Sequence, residues 1–162
     1  MRQSLLPGQP ATLMRRVSRS ALVPYPSDDI YALVEDVDSY PLFLPWCNDV
    51  EVHFREGNVV EATLELHRGK LSKRFRTRNT MYPNDSMVLS LVGGPFKHLA
   101  GGWEFKALGD SGSKVSLRLE FEFESRALDL LVGAFFEDAC NSLVDAFTQR
   151  AATVYGVRRN DG

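Results

Sequence analysis

Residues 115–123 read VSLRLEFEF, and residues 125–155 read SRALDLLVGAFFEDACNSLVDAFTQRAATVY. In the first stretch, apolar side chains alternate strictly with polar or charged ones. That period of two predicts an antiparallel strand with one buried and one solvated face. In the second stretch, apolar residues recur at helical spacing, so the strand is followed directly by a helix.

The helix is expected to begin after Ser125, a good N-cap residue, and to end at Gly156. Its predicted buried stripe contains Leu128, Leu131, Val132, Phe135, Phe136, Ala139, Leu143, Ala146, Phe147 and Val154. An amphipathic helix of this length needs a partner that covers its stripe. On this assignment, an Asp at Leu131 is expected to unfold the domain, because an unpaired carboxylate is costly to bury.

Turn signals divide the chain before Val115 into further strands. They are Gly57-Asn58, Arg68-Gly69-Lys70, Pro83-Asn84-Asp85 and Gly109–Gly112. A strand over 16–23 and a short helix with Ser27 as N-cap precede them, and the glycine pairs at 93–94 and 101–102 permit sharp bends. The pattern predicts an α+β fold in which a curved antiparallel sheet wraps around the long C-terminal helix.

Length and composition predict one domain over 14–158, preceded by a disordered tail over 1–13. The net charge of −2 argues against DNA as a partner. Cys47 and Cys140 lack the spacing of metal ligands and are expected to be reduced thiols of a cytoplasmic protein, with a single disulfide as the alternative. No catalytic motif is present, so we expect no enzyme, no catalytic residue, no metal and no required cofactor.

Aromatic residues fall on the inward positions of several strands and suggest a cavity for an apolar ligand. The apolar segment over 40–47 is bounded by prolines and lies outside the regular elements, so it is expected to form a lid. The predicted ligand-binding residues are Tyr40, Phe43, Leu44, Trp46, Lys73, Phe75, Phe96, Trp103, Phe105, Phe121, Leu131 and Phe135. Lys73 either extends to the mouth of this cavity or meets a polar group of the ligand. The alternative, that these side chains simply fill the core, stays open.

Arg74, Arg76 and Arg78 lie on one face of the predicted strand over 71–82. One interpretation is a surface basic patch that binds phosphates or lipid headgroups. The other is a solvated sheet face. A turn at Gly69-Lys70 places Glu65 opposite Arg74 and Glu61 opposite Arg78, and such cross-strand ion pairs favour the second interpretation.

Five stretches resemble a known family: SRSALVPY over 18–25, YPLFLPWC over 40–47, FRTRN over 75–79, GPFK over 94–97 with GWEF over 102–105, and FTQRA over 147–151. Together they look like the coenzyme Q-binding protein and RatA ribosome-association toxin family, within the START-like, polyketide cyclase-like superfamily. The resemblance implies a helix-grip (START/Bet v 1-like) fold with about seven strands.

The same resemblance implies two functions. The preferred one is non-catalytic binding of ubiquinone, an isoprenoid quinone, between sheet and C-terminal helix, in support of respiratory electron transport. The alternative is a RatA-like toxin that binds the large ribosomal subunit and blocks subunit association. The expected location is the cytoplasm, with peripheral placement at the inner membrane and transient contact with its surface left open.

Overall fold

The computed structural model describes residues 13–157, and its architecture confirms the α+β helix-grip prediction. Seven antiparallel strands form one sheet: β1 (Arg15–Val23), β2 (Cys47–Glu56), β3 (Val59–Arg68), β4 (Leu71–Tyr82), β5 (Ser86–Gly93), β6 (Phe96–Leu108) and β7 (Gly112–Phe123). Their order across the sheet is β1-β7-β6-β5-β4-β3-β2. Each strand from β2 to β7 therefore pairs with its neighbour in sequence, and only β1 pairs with a distant strand.

Helical segments lie at both ends of the chain. The first are α1 (Ser27–Glu35) and a 3₁₀ helix over Val37–Leu42; the last are α2 (Arg126–Leu128), a π-helical turn over Asp129–Gly133, α3 (Ala134–Asn141) and α4 (Leu143–Tyr155). Ser125 caps α2 as predicted, since its Oγ accepts a hydrogen bond of 3.1 Å from the Leu128 N–H. Ser27 does not cap α1, because Pro26 occupies that position and Ser27 is the first helical residue.

The π-helical turn corrects the predicted stripe of the C-terminal helix. A π turn contains one residue more than an α turn, so it shifts the face on which the following residues lie. Val132 is fully buried, whereas Leu131 is 61% exposed. Phe136 points into the core, while Phe135 is only partly buried. The expectations that Leu131 is buried and that Asp at this position unfolds the domain are therefore wrong.

An ion pair between the first strand and the π turn accompanies this shift. Asp129 is buried, and Arg15 binds both of its carboxylate oxygens, at 3.0 and 3.1 Å. A third bond of 3.1 Å joins Arg15 to Glu137. The hydrogen bonds that Arg15 donates to Asp129 raise the pKa of Arg15 against the opposing effect of burial. Gly133 leaves the space for this pair, because a Cβ there would lie 2.7 Å from both partners.

Strands β5, β6 and β7 approach very closely where the sequence has Gly101 and Gly102. A Cβ on Gly101 would lie 2.0 Å from the carbonyl oxygen of Arg118, and one on Gly102 would lie 2.1 Å from that of Met87. Gly101 also has a φ of +148°, which side-chain-bearing residues rarely adopt. The predicted tail over 1–13 lies, apart from its last residue, outside the described residues, as does Arg158.

Candidate functional site

A cavity of about 70 Å³ lies between the concave face of the sheet and the C-terminal helices. Five of the predicted ligand-binding residues line it: Tyr40, Leu44, Trp46, Phe75 and Trp103. The sheet supplies further walls through Leu64 and Leu119, and the helices supply Phe136, Cys140, Leu143 and Phe147. The structure thus brings the segment over 40–47, the sheet and the helices together around one apolar space.

Four other predicted residues pack directly behind this lining. The ring of Phe43 lies 5.1 Å from that of Phe147, and Phe121 lies 5.0 Å from Phe136. Phe96 lies 5.5 Å from Phe75, and Phe105 stacks on Trp103 at 6.1 Å. These rings hold the lining residues in place.

Three predicted residues lie elsewhere. Lys73 is on the same face of β4 as Phe75 but is half-buried and lies outside the cavity lining. Phe135 faces an outer groove, where the guanidinium of Arg68 lies 5.0 Å from its ring. Leu131 points to solvent, and only its carbonyl oxygen is engaged, by Arg68 at 3.0 Å. Leu131 and Phe135 are displaced by the π turn.

Sequence reasoning missed two polar residues of the lining, Thr77 and Asn79. Both are almost fully buried on the inner face of β4, at the same parity as Phe75. That parity was readable from the sequence. What it did not indicate is that Thr77 Oγ1 and Asn79 Oδ1 have no hydrogen-bond partner, a property that they share with Trp46 Nε1.

The lining is electrically neutral among the described residues, since it contains no Asp, Glu, Lys, Arg or His. The hydroxyl of Tyr40 donates to the carbonyl oxygen of Val34, and burial raises its pKa far above the ordinary value. Burial likewise raises the pKa of the Cys140 thiol. Cys47 lies nearby, unlinked to Cys140, and burial raises its pKa to about 12. These thiols and the phenol therefore stay protonated at neutral pH.

A second, more open groove of about 460 Å³ adjoins the cavity from outside. It runs past Pro45, Arg68 and Phe135 to Ser142, the residue between α3 and α4. Leu44 and Trp46 line both the groove and the cavity. These two side chains are therefore shared by the cavity and the groove.

The arginines of β4 lie on the opposite face of the same strand, with the predicted register: Glu65 opposite Arg74, and Glu61 opposite Arg78. Glu61 is almost fully buried and accepts hydrogen bonds from Arg76 at 2.6 Å and from Arg78 at 3.0 Å. Burial alone would raise the pKa of Glu61, but these two arginines outweigh it and hold the pKa below its ordinary value.

Arg74 is also surrounded by carboxylates. It lies 3.2 Å from Asp49, 3.3 Å from Glu65 and 3.7 Å from Glu51. The three arginines of the predicted basic patch are therefore all in contact with acidic residues. This face of the sheet has little net positive charge to offer a phosphate.

Within residues 13–157, no group of His, Cys, Asp and Glu is arranged to hold a metal ion. In the same range, every helix is too short or too polar to cross a membrane.

Comparisons with known proteins cover most of the chain. The family described as polyketide cyclase/dehydrase and lipid transport matches residues 23–148. The ribosome association toxin RatA of Pseudomonas aeruginosa is 43% identical over 140 residues, which cover 86% of this chain and 97% of that protein. The mitochondrial coenzyme Q-binding protein homolog B of Xenopus laevis is 29% identical over 86% of this chain and 59% of that protein. The solution structure of the 18 kDa protein CC1736 of Caulobacter crescentus is 33% identical, with a TM-score of 0.69 over 88% of this chain and 99% of that one.

Proposed function

This chain belongs to the polyketide cyclase/dehydrase and lipid transport family, and from that premise we propose that it binds a neutral, hydrophobic small molecule without transforming it. The resemblance seen in the sequence, to the coenzyme Q-binding protein and RatA family, is confirmed by relatives of both names. The preferred ligand is an isoprenoid quinone of the ubiquinone type, held between the sheet and the C-terminal helices.

One observation carries this proposal: the interior cavity is lined mainly by aromatic and aliphatic side chains, and its lining has no ionised group among the described residues. An apolar cavity with a few polar atoms suits a neutral hydrophobic molecule. A charged headgroup would be costly to bury there, because no countercharge meets it. Proton-transfer chemistry would also lack a side chain of suitable pKa.

The cavity must enlarge when a quinone binds. Its volume is about 70 Å³, whereas sites for drug-sized ligands span roughly 300–1,000 Å³. Leu44 and Trp46 are the side chains whose displacement joins the cavity to the outer groove. We propose that the segment over 40–47 opens there while the sheet stays in place.

Titration with quinones of increasing tail length tests the proposal. Trp46 and Trp103 line the cavity, so quenching of their fluorescence reports binding. Each methylene that becomes buried contributes about 0.8 kcal/mol, so affinity is expected to rise steeply with tail length until the space is filled. A complementary measurement is mass spectrometry of organic extracts from protein purified without detergent.

Leu143→Phe provides a variant that fills the cavity, because Leu143 is buried and lines it. Leu130→Phe is the matched control, since Leu130 lies in the same helical region and is 80% exposed. We expect the first change to weaken quinone binding and the second to leave it unchanged. Affinity that is independent of tail length, or equal in both variants, contradicts the proposal.

A second candidate function is association with the large ribosomal subunit. The observation that favours it is the 43% identity to a ribosome association toxin, over nearly the full length of both chains. Co-sedimentation with purified large subunits tests it, and contacts to phosphates would make binding fall steeply with salt. Leu143→Phe separates the two functions, because it changes the cavity and leaves the surface charges intact.

A further inference from the structure

Three polar atoms of the cavity lining have no partner in the described chain; Trp46 Nε1 is one, and the other two share the inner face of β4. These two atoms are Thr77 Oγ1 and Asn79 Oδ1, on residues that are 1% and 3% exposed. Both residues line the cavity. Burying a hydroxyl or an amide oxygen without a hydrogen bond is costly, and folded proteins rarely leave such groups unpaired.

The neighbouring strands offer these atoms nothing to bind. Thr77 lies opposite Ala62 on β3 and Leu91 on β5. Asn79 lies opposite Val60 and Leu89 on the same two strands. All four neighbours have apolar side chains, so a molecule in the cavity, either a water or a ligand, is left to supply the missing partner.

The other polar groups of the lining do not compete for this role. The Tyr40 hydroxyl already donates to Val34. Trp46 Nε1 is also unpartnered, but the Trp46 backbone lies beside the opposite end of β3 and β4. The Trp46 carbonyl oxygen accepts a hydrogen bond from the His67 N–H. The residue before His67 is Leu66, which lies opposite Lys73 on β4. From Lys73 to Thr77 the strand advances by four residue steps, which span about 13 Å.

We propose, on the basis of the proposed function, that Thr77 and Asn79 recognise a hydroxyl group on the head of the ligand. The hydroxyl donates to Asn79 Oδ1 and accepts from the Thr77 hydroxyl. The head lies at the inner end of the cavity, and the apolar tail runs back towards Leu44 and Trp46. The preferred ligands are therefore hydroxylated aromatic rings with an apolar tail, such as quinols and alkylphenols.

This assignment distinguishes between the redox forms of a quinone. A quinone head has only hydrogen-bond acceptors, and these leave Asn79 Oδ1 unpaired. A quinol head carries hydroxyls that both donate and accept, which matches the two orphaned atoms. The site is accordingly expected to hold the reduced form more tightly than the oxidised form.

Anaerobic fluorescence titration with decylubiquinol and decylubiquinone tests this preference. We expect the wild-type protein to bind the quinol about tenfold more tightly, the effect of one well-paired hydrogen bond in a buried site. An alkylphenol and its methyl ether form a second pair of probes without redox chemistry, and they differ only in the donor. The phenol is expected to bind more tightly by a similar factor.

The variants Thr77→Val and Asn79→Leu preserve side-chain size and remove the polar atoms. In the double variant, the quinol is expected to lose about tenfold in affinity while the quinone is retained, so that the preference disappears. Thr77→Ser keeps the hydroxyl. Where Thr77→Val lowers the preference for quinol over quinone, Thr77→Ser is expected to retain it. This rescue also separates loss of the hydroxyl from loss of folding.

The outcomes distinguish the two proposals. If both redox forms bind wild type equally and the variants change neither, the hydroxyl assignment is overturned and quinone binding stands. If the variants weaken both forms equally, Thr77 and Asn79 act on shape alone and the assignment also fails. If no quinone, quinol or phenol binds the wild-type protein, the proposed function and the assignment fall together.

Discussion

The polar side chains on the two faces of β4 differ in whether they have partners within the chain. On the outer face, Arg74, Arg76 and Arg78 together contact four carboxylates. On the inner face, Thr77 and Asn79 have oxygens with no contact of this kind. A polar group that is satisfied within the chain can be explained by the fold alone. A buried polar group left unsatisfied points to something that the chain is built to receive.

The largest expected effect concerns the packing that surrounds the inner face. Phe75 is buried against the rings of Phe96 and Phe136, at 5.5 and 6.0 Å. Phe75→Ala is expected to lower the free energy of unfolding by about 3–5 kcal/mol, because it removes a buried ring and leaves a larger cavity. Urea denaturation measures this change. A loss below about 1 kcal/mol would mean that the helices collapse into the space.

An intermediate effect is expected on the outer face from Glu61→Gln. The Glu61 carboxylate has a pKa below its ordinary value of 4.5, so it stabilises the fold above that pH. The contribution is lost as pH falls from 4.5 through the lower folded-state pKa. Wild type should therefore lose more stability than Glu61→Gln between pH 7 and pH 3, measured by urea denaturation at both values. Parallel losses in the two proteins would show that the arginine contacts contribute nothing.

A smaller effect, of unusual sign, is expected from Thr77→Val. The Thr77 hydroxyl has no partner, so its replacement by a methyl group should leave the ligand-free protein equally stable or more stable, by up to about 1 kcal/mol. Ser113→Ala is the matched control. Ser113 is equally buried, but its hydroxyl donates to the Tyr25 carbonyl at 2.9 Å, and its loss should cost about 1 kcal/mol. Equal losses in both variants would show that Thr77 has a partner after all.

The smallest effect is expected from Leu131→Ser in the π turn, where an exposed residue can be compared with a buried neighbour. Leu131→Ser changes an exposed side chain and should alter stability by less than about 0.5 kcal/mol. Val132→Ser, one residue further, removes a fully buried side chain and introduces a hydroxyl into the core. Thermal unfolding of the two variants should differ clearly, and similar midpoints would contradict the placement of the turn.

The alternation in residues 115–123 could be read from the sequence because burial alternates with every residue in a half-exposed strand. Val115, Leu117, Leu119, Phe121 and Phe123 are all buried as predicted. Leu131 and Phe135 could not be placed in the same way. The phase of their helix changes at a π turn whose Asp129 binds Arg15, which lies 114 residues away in sequence. A local pattern contains no signal of such a contact.

In the candidate site, too, some features can be read from local sequence and others depend on contacts between distant residues. Tyr40, Leu44 and Trp46 stand out locally, because their segment is apolar and broken by prolines. The inward parity of Thr77 and Asn79 was also readable. Their lack of partners was not, since it depends on which residues β3 and β5 place beside them. An unpaired group becomes visible only once its neighbours in space are known.

The pairing of β1 with β7 has a consequence for how the chain folds. From β3 onward, every strand pairs with the strand made just before it, so these contacts are local in sequence and are of the kind that forms early. Strand β1 is synthesised first and has no such partner. Its ion pair from Arg15 to Asp129 spans 114 residues. At about 5–20 residues per second, translation needs on the order of 10 s to supply that partner. Among the described strands, β1 can therefore pair with the sheet only after β7, the last strand in sequence, has been made.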